Sequence, residues 1–360
     1  MNTARKIWRV GWRVGLCALL LTWIFHSIFV NEARLAHAGG PEAFSKLPRA
    51  EQWRLGWQKG PSQLAHRLAQ VRIGHFIASI LVMGSTVLLG VARWRMALQA
   101  QGLPLPWGRA LEISFVAHFF NSFLLGSTGG DLMKAWYAAR ETHHKKTEAV
   151  VTVAIDRLIG LWAMLLFACV MMIFNFPLLF KHGWLRALSL SVCAMMLAGS
   201  AFLGLAFWGG VSRKWSGARA WLRRLPKGDW LEQVLDSCRR FGHEPFYVLK
   251  ALGVSMLLNA LCVVQFMVLA QGMSLNVPPV ALFVIVPIVI CISAVPITPN
   301  GLGVRENLFV QILDQLGVHP TAALSLSLLA YAGSVFWSLI GGIVYLTLKE
   351  KHHLTEADLK

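Results

Sequence analysis

Two short stretches put charge and glycine where an apolar chain would otherwise run on. In GSTGGDLMK, residues 126–134, Ser127, Thr128, Gly129 and Gly130 precede Asp131 and Lys134. Glycines let backbone N–H groups approach a ligand, and a helix start concentrates unpaired donors and partial positive charge, so this turn suits a phosphate. In PITPNGLGVRE, residues 296–306, Pro296 and Pro299 stop a helix, Asn300, Gly301 and Gly303 permit a tight turn, and Arg305 and Glu306 follow. Arginine offers a planar fork of donors that matches phosphate or carboxylate. A third interruption, VAIDRLIG, sets Asp156 and Arg157 in an apolar helix. A charge inside the bilayer costs at least about 2.5–3.5 kcal/mol on insertion scales, so this pair should face a bundle interior and find partners.

Each of these features has a plainer explanation. Lys134 follows Asp131 by one helical turn and could simply pair with it at the helix start. Asp156 and Arg157 could reach the surface if their helix begins lower, and Arg305 could bridge to Asp131 or Asp156 and lock two turns together. Such a bridge is compatible with a phosphate site, because a phosphate can share the arginine with the acid that positions it.

The elements that must position these residues are membrane helices. The 360 residues are 56% hydrophobic and 14% charged, against about 25% charged in ordinary soluble domains, and the mean hydropathy is +0.56. Repeated apolar runs have the roughly 17–25 residues that an α-helix needs to cross the hydrocarbon layer. The net charge of +17 falls in short segments between those runs, which sets topology and attracts anionic headgroups; it does not indicate nucleic acid. The six cysteines have no paired or metal-binding spacing, and no histidine pattern suggests a metal site. Neither a metal nor a cofactor is expected.

Arg5, Lys6, Arg9 and Arg13 place the N-terminus in the cytoplasm, and the run from Val14 to Val30 reads as an uncleaved anchor leading outward. Residues 31–70 form an external segment in which Trp53 and Trp57, one turn apart, mark a short interfacial helix. Further spans cover about 73–92, 149–174, 188–208, 246–269 and 322–348. Residues 110–139 and 280–316 break in the middle and read as re-entrant hairpins with the two glycine turns at their tips. Between Val211 and Pro245, eight Lys and Arg against four acids mark a basic cytoplasmic loop, and Lys349 and Lys351 hold the C-terminus on the same side.

The expected fold is therefore a single all-α polytopic integral membrane domain over residues 1–360, with about six full spans and two oppositely oriented re-entrant helical hairpins. Residues 1–176 and 188–348 form the two halves of an inverted repeat, an arrangement that places a substrate site where the interrupted elements meet. The cytoplasmic membrane of a bacterium is the expected location.

The motifs GSTGGDLMK, AVVTVAIDRLIGLWA and PITPNGLGVRENLFVQILDQLGV together resemble the lysylphosphatidylglycerol synthase transmembrane-region family, over about Ile73 to Leu348. The family includes the flippase part of the multiple peptide resistance factor and stand-alone relatives. The resemblance implies movement of a phospholipid or isoprenoid-linked lipid between leaflets. It singles out Gly129, Gly130, Asp131 and Lys134; Asp156, Arg157 and Gly160; and Pro299, Gly301, Gly303, Arg305 and Glu306. Lys134 stands where arginine is common and Asp156 where glutamate is common. With no soluble synthase domain in view, aminoacyl transfer is not expected and the protein is read as a transporter rather than an enzyme.

The expected substrate-binding set is Gly129, Gly130, Asp131, Lys134, Asp156, Arg157, Asn300, Gly301, Gly303, Arg305 and Glu306, and the expected partner is a membrane lipid with an anionic headgroup. Further candidate partners are a second copy of the chain and lipid-synthesis enzymes. Two alternatives stand beside this reading. An intramembrane aspartyl enzyme would use Asp131 and Asp156 as a pair sharing a proton, although the turn reads TGGD and Arg157 adjoins Asp156. A non-transporting partner protein would not require charge in both interrupted elements.

Overall fold

The computed structural model describes residues 37–69, 71–123, 129–141, 145–175, 183–207, 244–294, 303–318 and 320–348, with residues 240–241 and some positions between 22 and 34. Most of the expected first span, most of the basic loop, and Ser127, Thr128, Pro296, Pro299, Asn300 and Gly301 lie outside the described residues. Every described element is helical. A short α1 (Gly40–Ser45) precedes α2 (Arg49–Ala69), on which Trp53 and Trp57 are exposed. Then follow α3 (Ile73–Ala100), α4 (Trp107–Phe123), α5 (Gly129–Glu141), α6 (Lys146–Phe174) and α7 (Gly183–Phe207). The chain ends with α8 (Pro245–Gly272), α9 (Pro279–Ser293), α10 (Val304–Asp314) and α11 (Pro320–Thr347). Proline near the first turn of α8 and α9 costs little, since its missing N–H would be unpaired there anyway.

Five helices, α3, α6, α7, α8 and α11, are long and apolar enough to cross a membrane. They correspond to the five spans expected after the first, and the structure lengthens several of them. The most consequential extension is in α3, which continues to Ala100 instead of ending near Ala92.

Four further helices, α4, α5, α9 and α10, are shorter. At about 1.5 Å per residue, the 17 residues of α4 and 13 of α5 reach only part way across about 30 Å of hydrocarbon. These two form an antiparallel hairpin joined at both ends. Arg109 Nε donates to Glu141 Oε1 at 2.6 Å where α4 begins and α5 ends, and Gly130 N donates to Asn121 Oδ1 at 2.9 Å beside the turn. A Cβ at Gly130 would lie 1.9 Å from the Ala117 carbonyl oxygen, so only glycine allows this approach. Helices α9, of 15 residues, and α10, of 11, form the second short pair.

Helix α11 lies at the centre. Its apolar window is 67% buried, against 17% for α7. Small residues let it come close to α4: a Cβ at Gly341 would lie 2.1 Å from the Phe115 carbonyl oxygen, and Ser338 and Ser122 hydroxyls hydrogen-bond across the interface. Lipid tails are as apolar as leucine, so close packing and small polar residues carry helix association here. Helices α3 and α8 run antiparallel along each other, with Arg72 N donating to the Gly272 carbonyl at one end and Arg93 bonded to Ser255 at the other.

The contacts repeat in a regular way. Helix α4 packs on α11 as α9 packs on α6; α5 packs on α6 as α10 packs on α11; α3 meets α6 as α8 meets α11. Exchanging α3 with α8, α4 with α9, α5 with α10 and α6 with α11 thus maps these contacts onto one another.

Filling the close approaches should destabilise the bundle. Gly130→Ala and Gly341→Ala each force backbones apart and are expected to cost about 1–3 kcal/mol or more. Gly253→Ala, where an added Cβ meets nothing within 4 Å, should leave the melting temperature in detergent unchanged.

Candidate functional site

Asp156 lies about three turns into α6, deep in an apolar helix, and its environment is built from four elements. Its Oδ1 accepts from Arg93 Nε of α3 at 2.8 Å, and its Oδ2 from Lys134 Nζ of α5 at 3.4 Å. Arg93 Nη1 donates in turn to Ser255 Oγ of α8 at 3.0 Å. Lys134 Nζ sits 4.4 Å from the ring centroid of Trp94, which is fully buried and held by a hydrogen bond from its Nε1 to Thr152 Oγ1. One turn beyond Asp156, a Cβ at Gly160 would lie 2.7 Å from the Arg93 guanidinium. Glycine there lets the guanidinium lie against α6.

The neighbouring charges pair differently from the simplest local scheme. Asp131 Oδ2 lies 3.5 Å from Arg157 Nε, and it is Asp156 that takes the ammonium of Lys134. In place of the plainer alternative, an internal pair of Asp131 with Lys134, two pairs cross between α5 and α6. Arg157 is also the more open of the two α6 charges, with its side chain 36% exposed against 9% for Asp156.

Arg305 begins α10. Its Nη2 donates to Glu306 Oε1 at 2.6 Å and its Nε to Ser327 Oγ of α11 at 3.2 Å, while its guanidinium lies 4.8 Å from the Tyr331 ring centroid. The other oxygen of Glu306 accepts from Gly303 N at 2.6 Å. Gly303 has φ +86°, a conformation suited to glycine, and it turns the chain into the helix. Arg305 is thus bridged to the adjacent Glu306, not to Asp131 or Asp156. Its Nη1 has no protein partner among the described residues.

Two adjoining cavities collect these groups. One, of about 280 Å³, is lined by Arg93, Lys134 and Arg157 together with Asp131 and Asp156. The other, of about 360 Å³, is lined by Arg157, Arg305, Gln265 and Tyr331. They share a wall of Met83, His118, Asn121 and Arg157. Ser114 Oγ on the first, Ser293 Oγ on the second and His118 Nε2 on both are buried without a hydrogen-bond partner among the described residues. The cavities therefore offer cations and uncommitted polar atoms against apolar walls, a chemistry suited to an anion attached to something greasy.

At the first turn the Gly130 amide, a donor at the start of α5, donates to Asn121 Oδ1. Gly129 is buried beside it, and Gly303 acts through the turn it allows. Asn300 and Gly301 lie outside the described residues. Each of the two aspartates is paired with cations, Asp131 with Arg157 and Asp156 with Arg93 and Lys134. No three His, Cys, Asp or Glu side chains converge as a metal site among the described residues.

Arg93 is the main residue that sequence reasoning missed. It stands near the point where the span was expected to end, beside Arg95, and reads as a cytoplasmic flank. The available signal was Asp156 itself, a buried acid in need of a cation. His118, Asn121 and Ser255 carried no signal beyond being polar in apolar runs.

Taken together, the helices and the buried charge cluster define a polytopic α-helical integral membrane protein with a charged interior site. The lysylphosphatidylglycerol synthase TM region family matches residues 52–342, and the chain belongs to that family. No curated protein sequence matches the chain.

Removing one partner from the Asp156 cluster should leave a charge stranded. Arg93→Ala is expected to destabilise the folded protein by about 3–5 kcal/mol, and the double substitution Arg93→Ala with Asp156→Ala by less than the sum of the singles. Denaturation of the four proteins in one detergent measures this coupling.

Proposed function

We infer that the protein moves a lipid with an anionic headgroup, a phospholipid or an isoprenoid phosphate, between the leaflets of the membrane. The observation that carries this reading is the pair of adjoining cavities, one holding Lys134 and the other Arg305, with Arg157 on their common wall. A headgroup phosphate held by Lys134 and Arg157 at one station passes to Arg157 and Arg305 at the next without leaving a cation. Asp131, Asp156 and Glu306 hold those cations in place, and Ser114, His118 and Ser293 contact the headgroup polar atoms. Acyl or prenyl chains stay in apolar surroundings, so only the headgroup needs the polar path. The matching family, a membrane region named for a lipid synthase, supports lipid as the substrate class.

The two short helix pairs act as oppositely oriented re-entrant hairpins within an inverted repeat, residues 1–176 and 188–348, with a sixth span before residue 37. The correspondence of packing between α3–α6 and α8–α11 supports this reading, as does the antiparallel course of α3 and α8. Rocking of one half against the other would open the site to each leaflet in turn. Both termini lie in the cytoplasm, and the basic segment between Val211 and Pro245 gathers anionic lipid there.

Transport is tested by exchange of fluorescent phospholipids and polyprenyl phosphates in proteoliposomes. Arg157→Ala, Arg305→Ala and Lys134→Ala each remove hydrogen bonds to a charge worth about 1.5–3 kcal/mol, which corresponds to a tenfold or greater fall in rate. Exchange by the wild-type protein no faster than in empty vesicles would sink the reading. Topology is tested on a cysteine-free background with single cysteines at Pro104 and Lys146. An impermeant thiol reagent should reach both from the same side, and labelling from opposite sides would show that α4 and α5 do not form a re-entrant pair.

A further inference from the structure

Beside the charged cavities lies a third of different character. It is a groove of about 280 Å³ between α6, α7 and α9, and its walls carry carbon and sulfur almost throughout. Leu161, Met164 and Ala294 line both this groove and the Arg305 cavity, so the two adjoin with these side chains as their common wall. Beyond them the groove runs along Met195 and Phe202 of α7. Phe202 is 57% exposed and Met195 36%, so this wall also faces the outside of the bundle. Helix α7 packs on α6 and α9 alone among the described helices with substantial contact, and little of its apolar surface is covered. One fixed point is Trp162, whose Nε1 donates to Ser200 Oγ at 2.9 Å and ties α6 to α7.

We propose that this groove holds one hydrocarbon chain of the same lipid whose phosphate occupies the Arg157 and Arg305 cavity. The proposal rests on the transport reading for the identity of the headgroup site, and it adds where the chain goes. Three physical points support it. A phosphate at Arg305 has its attached chain within reach of the shared Leu161, Met164 and Ala294 wall. The lining, with two flexible methionines, adapts to a chain of varied bends and unsaturation. A side opening past α7 lets the chain enter from the bilayer without passing through the polar cavities. Hydrocarbon gains little by moving from lipid into an apolar groove, so the groove contributes orientation: it lines the lipid up with its headgroup at Arg305.

Cross-linking tests this independently of transport. Phosphatidylglycerol with a diazirine at the end of one chain is reconstituted with the protein, photolysed, and the labelled residues are mapped by mass spectrometry. Labels are expected at Leu161, Met195 and Phe202 roughly tenfold above the lipid-facing Ile73, Leu81 and Ile343, a preference of about 1.4 kcal/mol. Ala294→Trp, which fills the junction, and Gly199→Trp, which fills the groove from α7, should each remove that excess and leave labelling at Ile73 unchanged. Arg157→Ala should remove it as well, because the chain is held there by its headgroup. Unlabelled phosphatidylglycerol and a long-chain polyprenyl phosphate, added separately, distinguish an acyl from an isoprenoid occupant by which one displaces the probe.

Uniform labelling, or excess labelling that survives both tryptophan substitutions, would overturn the proposal and leave the groove as ordinary lipid-facing surface. Displacement by neither competitor would overturn it too. Groove labelling that depends on Arg157 in a protein that exchanges no lipid would retain the chain site while the transport reading fails. Exchange without groove labelling would do the reverse.

Discussion

The ion pair between Asp156 and Arg93 is the contact on which the interior of this protein depends. Neither charge is tolerable alone in an apolar bundle, so each requires the other, and the 2.8 Å bond between them joins α6 to α3. From there the constraint spreads. Arg93 needs the open face of Gly160 to lie flat, Ser255 to occupy another amino group, and Asp156 has an oxygen left for Lys134. Three helices are thereby joined at one carboxylate, and a fourth, α8, is joined to them through Arg93. The cation–π contact with Trp94 then fixes where the lysine ammonium points, on the wall of the charged cavity.

The second site uses a more local device. Arg305 is held by the next residue, Glu306, by Ser327 and by the face of Tyr331. Both sites therefore show cations secured by acids on one side and turned toward a cavity on the other. They differ in reach: Asp156 joins charges from two other helices, whereas Glu306 positions its own neighbour and the turn at Gly303 and takes only the Ser327 hydroxyl from α11.

Much of this was legible in the sequence because lipid imposes simple rules. A run of apolar residues long enough to span must be a helix, and five such runs are helices long and apolar enough to cross in the structure. Glycine and proline in a run that would otherwise continue mark a break, and α4–α5 and α9–α10 are separated at those breaks. A charge in such a run must be paired, and Asp156 is. Pairing identity was not legible. Lys134 and Asp131 are one turn apart, yet tertiary packing gives each a partner on α6, and nothing local specifies that exchange. Arg93 escaped for a related reason: topology rules read an arginine near a span end as a surface marker, while α3 runs on to Ala100 and leaves it inside. The family resemblance, now matched over residues 52–342, directed attention to the two glycine turns but not to the cation across the bundle.

The hairpin of α4 and α5 is fastened twice, by Arg109 to Glu141 at its open end and by Gly130 to Asn121 at its turn. Fastened at both ends, its two helices are coupled as one unit, with Asp131 and Lys134 near the turn and Arg109 at the base. Asp131 and Lys134 thus ride on the same clamped hairpin as Glu112, which completes the Arg109 pair at 2.8 Å with its own side chain half in the open.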